Sequence, residues 1–174
     1  MAGEKPFLLV EAHGRRFTAP GLTKEALPRA PEQLFSLCGM LVMPGWLLLV
    51  FLPRWKWTAR LVCPVVIPLL LALVYLWIVA TTFGRTPGGF GSLADVSQLF
   101  QSRWALLAGW IHYLAFDLFV GSWEVRDAQR AGVHHLLVVP CLFLTFMFGP
   151  VGLLLYFALR AALRRRLAVG GEAS

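Results

Sequence analysis

Apolar residues along this chain gather in long, nearly uninterrupted runs. Four of them reach the roughly 20 residues needed to cross the hydrocarbon core of a bilayer. They are Leu34–Leu52, Leu61–Phe83, Trp104–Trp123 and His135–Leu159. The first two carry no charge, the third carries His112 and Asp117, and the fourth has only His135 at its edge. Backbone polar groups find no water in lipid, so runs of this kind are expected as helices. The pattern predicts an all-α, polytopic membrane protein with four transmembrane helices in a bundle. Between spans 2 and 3, Leu93, Val96, Leu99 and Phe100 recur at helical spacing behind Ser92, with Asp95 in the first turn. Ser92 is expected to cap a short interfacial helix there.

The polar connections divide the chain into three parts. Residues 1–33 mix four acids with five bases and four prolines, and read as an N-terminal extension expected to be poorly ordered. They fit neither a signal peptide nor a transit peptide. Phe7–Val10 and Arg16–Ala19 are candidates for a small hairpin around His13 and Gly14. Residues 34–160 form the transmembrane domain, and 161–174 a basic C-terminal tail. Within the domain, Pro53–Arg60 interleaves Trp55 and Trp57 with Arg54, Lys56 and Arg60, as an interfacial belt does. Glu124–His134 reads as a polar link of 11 residues, with Glu124, Arg126, Asp127 and Arg130 paired at the membrane edge. The glycine-rich start of Gly84–Arg103 reads as a connector, since no Gly-Lys-Ser/Thr follows to make a phosphate loop.

Composition agrees with the pattern. Hydrophobic residues make up 58% of the 174 and charged ones 14%, against roughly 45–50% and about 25% in soluble domains. Disorder and a secreted disulfide scaffold are excluded. Cys38, Cys63 and Cys141 are odd in number and lie in apolar runs, so they read as small buried hydrophobes. The net charge of +7 reads as flank charge around spans rather than a nucleic-acid surface. Four spans would put both termini on one side, and Lys and Arg favour that side as cytoplasmic, ten against five. The membrane would be a bacterial cytoplasmic or a plastid one. Pro44–Arg54 and Pro150–Arg160 share a spacing of Pro, Leu, Phe and Arg that would suit an inverted repeat.

Chemistry concentrates in the third span. Proline interrupts the other three, at Pro44, at Pro64 and Pro68, and at Pro140 and Pro150, but not this one. It alone holds a mid-span acid, which costs roughly 2.5–3.5 kcal/mol at a helix centre and so demands a partner or a task. At 100° per residue, Trp110, Tyr113, Asp117, Gly121 and Glu124 share one stripe, and Ala105, Gly109, His112, Phe116, Phe119 and Trp123 a second. Asp117 and His112 therefore open onto adjacent sectors, while Tyr113 lies one turn from Asp117. Asp117 reads either as a buried anchor or as a proton donor and acceptor. His112 reads as a packed core histidine or as part of that chemistry. His134 and His135 mark the water boundary. Four histidines without regular His/Cys spacing argue against a metal, and no cofactor motif is present.

The run Gly109-Trp110-Ile111-His112-Tyr113-Leu114-Ala115-Phe116-Asp117-Leu118-Phe119-Val120-Gly121, with Trp123-Glu124 and Arg126-Asp127 after it, resembles the abscisic-acid-deficient-four-like (neoxanthin synthase-like) membrane family. Pro44-Gly45-Trp46-Leu47-Leu48-Leu49 with Pro53-Arg54-Trp55 is similar to it too. So is Pro140-Cys141-Leu142 through Thr145-Phe146, Phe148-Gly149-Pro150 and Gly152-Leu153-Leu154, as is Phe90-Gly91-Ser92-Leu93 with Leu99-Phe100. The resemblance covers roughly Leu34–Arg160. It implies a four-helix, carotenoid-linked membrane protein. In plant members it implies opening of a violaxanthin epoxide to the allenic neoxanthin end group, an isomerisation without redox change. Such a reaction needs an acid at the epoxide oxygen and a base beside the ring. Asp117, Glu124 and Asp127 are the candidates for those roles, with Tyr113 or His112 orienting them. Trp110, Phe116, Phe119 and Trp123, with Arg126, are the candidate substrate-binding residues along a polyene slot. The other reading is a non-enzymatic protein that binds a carotenoid or another membrane lipid. Oligomers are compatible with both.

Overall fold

A computed structural model describes residues 26–82 and 84–164, and every regular element among them is helical. The candidate hairpin at Phe7–Val10 and Arg16–Ala19 lies outside the described residues. Helix α1 spans Ala26–Phe51. After a turn, a π-helical segment, Thr58–Val66, runs directly into α2, Ile67–Thr82. The π segment has a local cause in Pro64. Proline lacks an N–H and its ring strikes the carbonyl four residues back, and the wider ladder of i→i+5 bonds makes room for it. The Val62 N–H accordingly reaches the Trp57 carbonyl at 2.9 Å. Helix α3 is short, Leu93–Leu99, and starts as its sequence predicts: the Ser92 Oγ accepts from the Asp95 N–H at 3.1 Å.

Helix α4, Arg103–Ala131, is the longest and stands at the centre, packed on α1, the π segment, α2 and both later helices. It closes at Gly132, whose left-handed φ of 65° favours glycine. The helix thus runs well past Trp123. The expected polar link from Glu124 is instead two further helical turns, because Glu124 and Asp127 are buried against neighbouring helices rather than facing water. Close packing on α4 uses small residues, as membrane helices do. At Gly121 a β-carbon would meet the Trp46 ring at 2.8 Å.

Three helices are long and apolar enough to cross a membrane: Ala30–Phe51, Thr58–Thr82 and Arg103–Ala131. The fourth expected span is two shorter helices, α5 (His135–Phe148) and α6 (Pro150–Arg164), folded back on each other. The reversal is at Gly149, with φ 49° and ψ −97°, and Pro150 then opens α6 at the position where its missing N–H costs nothing. The two legs touch so closely that a β-carbon at Gly152 would collide with the Thr145 backbone and hydroxyl and with the Cys141 carbonyl. The fourteen residues of α5 rise only about 21 Å, short of the roughly 30 Å of a hydrocarbon core.

The hairpin enters and leaves at one end of the bundle. His135 Nε2 lies 2.9 Å from the carbonyl oxygen of Val50, at the end of α1. Arg160 in the returning leg meets Asp127, one turn before the end of α4. The start of α1 is at the opposite end, where Glu32 pairs with Arg103 at 2.7 Å. The described chain therefore begins and finishes at opposite ends of the bundle, whereas four full crossings would have brought it back to the same end. The similar segments Pro44–Arg54 and Pro150–Arg160 run toward the same end, so they do not form an inverted pair.

Candidate functional site

The face of α4 turned toward the hairpin carries Tyr113, Asp117, Glu124 and Asp127. Steps of four, seven and three residues keep them on one side of the helix, and the hairpin supplies a different neighbour to each. The Tyr113 hydroxyl donates to the carbonyl of Phe146, in the last turn of α5, at 3.0 Å. Asp117 lies against the reversal itself: its Oδ1 is 3.0 Å from the point a β-carbon on Gly149 would occupy. Glu124 is completely buried, and its Oε1 accepts from the Thr145 hydroxyl at 2.9 Å. Asp127 accepts from the Tyr156 hydroxyl at 2.7 Å and from Arg160 Nε at 2.6 Å.

These three acids are not equivalent. Asp127 has a cation and a phenol on one oxygen and is locked in place. Glu124 is half satisfied, with Oε2 buried and lacking a hydrogen-bond partner. Asp117 Oδ2 is likewise buried without one. Buried polar atoms are nearly always paired, and leaving one bare costs on the order of 1–3 kcal/mol. Two such oxygens lie on one helix face, toward the break in the neighbouring helix. The break adds polarity of its own. The first turn of α6 starts here, and its dipole presents partial positive charge toward the middle of the bundle.

The remaining candidates separate. His112 is exposed and stacks on Phe116, with ring centroids 4.4 Å apart, 6.1 Å from the Tyr75 ring of α2. It does not meet Asp117. Phe116 and Phe119 point outward, 59% and 46% exposed. Trp110 packs on Phe35 of α1 and on Tyr113, each at 5.3 Å. Trp123 packs on Tyr156 and Phe157 of α6, each at 5.6 Å. A single slot lined by all four aromatics is not formed, because they project from α4 toward different neighbours. Arg126 faces the π segment, where its Nη1 donates to the Ala59 carbonyl at 2.8 Å. Sequence reasoning missed Thr145, Tyr156 and Arg160. The four-residue spacing of Tyr156 and Arg160 places them on one helix face and was the available signal.

Fold and site together define a helical membrane protein with a row of carboxyl groups, Glu124 and Asp127 buried and Asp117 half-buried, facing a broken helix. The chain belongs to the ABA DEFICIENT 4-like family, whose profile matches residues 33–156, from α1 into α6. No curated protein and no solved structure matches it.

Proposed function

We propose that this protein is a membrane-embedded acid/base isomerase acting on a carotenoid epoxide or another long apolar lipid with an oxygenated end group. The observation that carries the reading is the pair of buried, unpartnered carboxyl oxygens on Asp117 and Glu124, seven residues or about 10 Å apart along α4. Family membership supports the substrate class. Asp117, at the hairpin tip, is the acid: it gives its proton to the epoxide oxygen as the carbon–oxygen bond breaks. Glu124 is the base: it takes the proton from the adjacent chain carbon, and that C–H electron pair becomes the new double bond of the allene. The proton on Glu124 then returns to Asp117, so substrate and product are isomers and no oxidant is needed. Tyr113 positions the acid, and the Asp127–Arg160 pair holds the hairpin against it.

Membranes containing the protein, supplied with violaxanthin, are expected to accumulate a pigment of identical mass with the shortened chromophore of an allenic end group. Chromatography with mass detection reads this directly, and violaxanthin recovered unchanged would sink the proposal. The outward aromatic face of Phe116 and Phe119 favours a second reading, a non-enzymatic pigment- or lipid-binding protein. In that case violaxanthin co-purifies with the protein and stays unaltered.

The hairpin also changes the expected orientation. Among the residues whose side chains are described, Arg54, Lys56, Arg60, Arg126, Arg130 and Arg160 belong to the end where α1 and α4 finish, and Arg85 and Arg103 to the other. Six against two favours the α6 end as cytoplasmic, so the two ends of the described chain would lie on opposite sides of the membrane.

A further inference from the structure

The end of the bundle where α1 finishes and α5 begins carries a different chemistry from the carboxyl row. Two hollows of about 510 and 540 Å³ open there, each in the size range of sites for small molecules. Pro53, Arg54, His134 and His135 line both. The first is completed by the last turn of α1 and the first of α5, with Phe51, Leu52, Trp55 and Leu136 exposed along it. The second is completed by Gln129, Gly132 and Val133, where α4 closes. An apolar hollow and a more polar one thus share a wall of basic side chains. Hydrogen bonds hold that wall in place: His135 Nε2 lies 2.9 Å from the Val50 carbonyl oxygen, and Gln129 Nε2 donates to the Pro53 carbonyl at 2.7 Å. No acid lines either hollow, and Arg54 has no carboxylate partner among the described residues.

We propose that this corner binds one anionic phospholipid, its phosphate held between Arg54 and His134 and its acyl chains laid on Phe51, Leu52 and Leu136. Charge selects the head: a permanent guanidinium and two histidines, with no acid beside them, favour an anion over a zwitterion or a cation. The apolar hollow selects the tail, because a free phosphate would leave Phe51, Leu52 and Leu136 uncovered. Depth agrees with both, since Trp55 and the basic residues around it form the interfacial belt. This end is also the one that charge favours as cytoplasmic, where anionic lipids attract basic segments. The bound lipid would touch α1 through Phe51, the following turn through Arg54 and α5 through Leu136, and so would fasten the entering leg of the hairpin to the bundle.

The test is native mass spectrometry of the purified protein in detergent, titrated with phosphatidylglycerol or phosphatidylcholine. The wild type is expected to retain one phosphatidylglycerol at a concentration at least about tenfold below that needed for phosphatidylcholine. Arg54→Gln is expected to erase that preference, and His134→Gln, on the same wall, to weaken it by at least about threefold. Lys56→Gln removes the same charge two residues away, from a side chain that lines neither hollow, and is expected to keep the preference. Excess inorganic phosphate should leave the lipid bound. Equal retention of the two lipids by the wild type would overturn the site, as would an Arg54→Gln protein that retains phosphatidylglycerol as the wild type does. An equal loss in Lys56→Gln would also overturn it, by showing diffuse attraction to the whole belt. Displacement of the lipid by inorganic phosphate would mean that the wall takes a free anion and that the apolar hollow plays no part.

Discussion

Asp117→Asn is expected to abolish pigment conversion, lowering the rate by about 10²–10⁴-fold, the usual contribution of a positioned acid or base. The protein should remain at its normal level in the membrane. The substitution preserves shape, and Asp117 Oδ2 makes no hydrogen bond that could be lost. Exchange of an acid for an amide also relieves the cost of holding an ionisable group at depth. A merely structural anchor would behave in the opposite way, losing protein rather than turnover. Membranes of the variant that convert substrate at close to the wild-type rate would remove Asp117 from the role of acid.

Arg160→Met is expected to destabilise the protein by about 3–5 kcal/mol, because it strands the Asp127 carboxylate in a buried position. The pair is close, 2.6 Å from Nε to Oδ2, with both side chains less than a tenth exposed, and Tyr156 adds a second donor to the same oxygen. Without that clamp, the returning leg of the hairpin has lost its one buried ion pair to α4 among the described residues. Thermal unfolding in detergent should show the loss, and adding Asp127→Leu should recover much of it by removing the stranded charge. Wild-type stability in Arg160→Met alone would mean that the pair does not hold the hairpin.

Much of this was readable from residue order. Run length and charge placed the three long helices, and Ser92 ahead of a short apolar repeat placed α3. The stripe through Tyr113, Asp117 and Glu124 survived because a helix without proline keeps its phase over these twelve residues. The fourth span was misread because hydropathy measures only apolar length, and His135–Leu159 has enough of it. The reversal was nonetheless encoded in two adjacent residues. Gly149 takes a backbone conformation closed to other side chains, and Pro150 starts a helix more readily than it continues one. Treated as a proline bend, the pair gave a kinked span; treated as a stop and a start, it gives a hairpin. The partners of the carboxyl groups were out of reach for a different reason. Thr145 meets α4 only once α5 packs back on it, and Tyr156 and Arg160 only once the hairpin has turned; no local pattern records a contact made across 21 to 33 residues. The charges at Glu124 and Asp127 looked like a water boundary for the same reason, since their burial depends on those partners.

Everything proposed for the site depends on the α5–α6 hairpin returning to the end from which it entered. Single cysteines placed at Gly89, Arg130 and Ala162 in sealed vesicles, probed with a membrane-impermeant maleimide, measure this directly. The native cysteines Cys38, Cys63 and Cys141 are buried and should contribute little background. The account predicts that Ala162→Cys is labelled from the same side as Arg130→Cys and from the side opposite to Gly89→Cys. Labelling of Ala162→Cys from the Gly89 side would mean a fourth complete crossing, with no hairpin tip at Asp117.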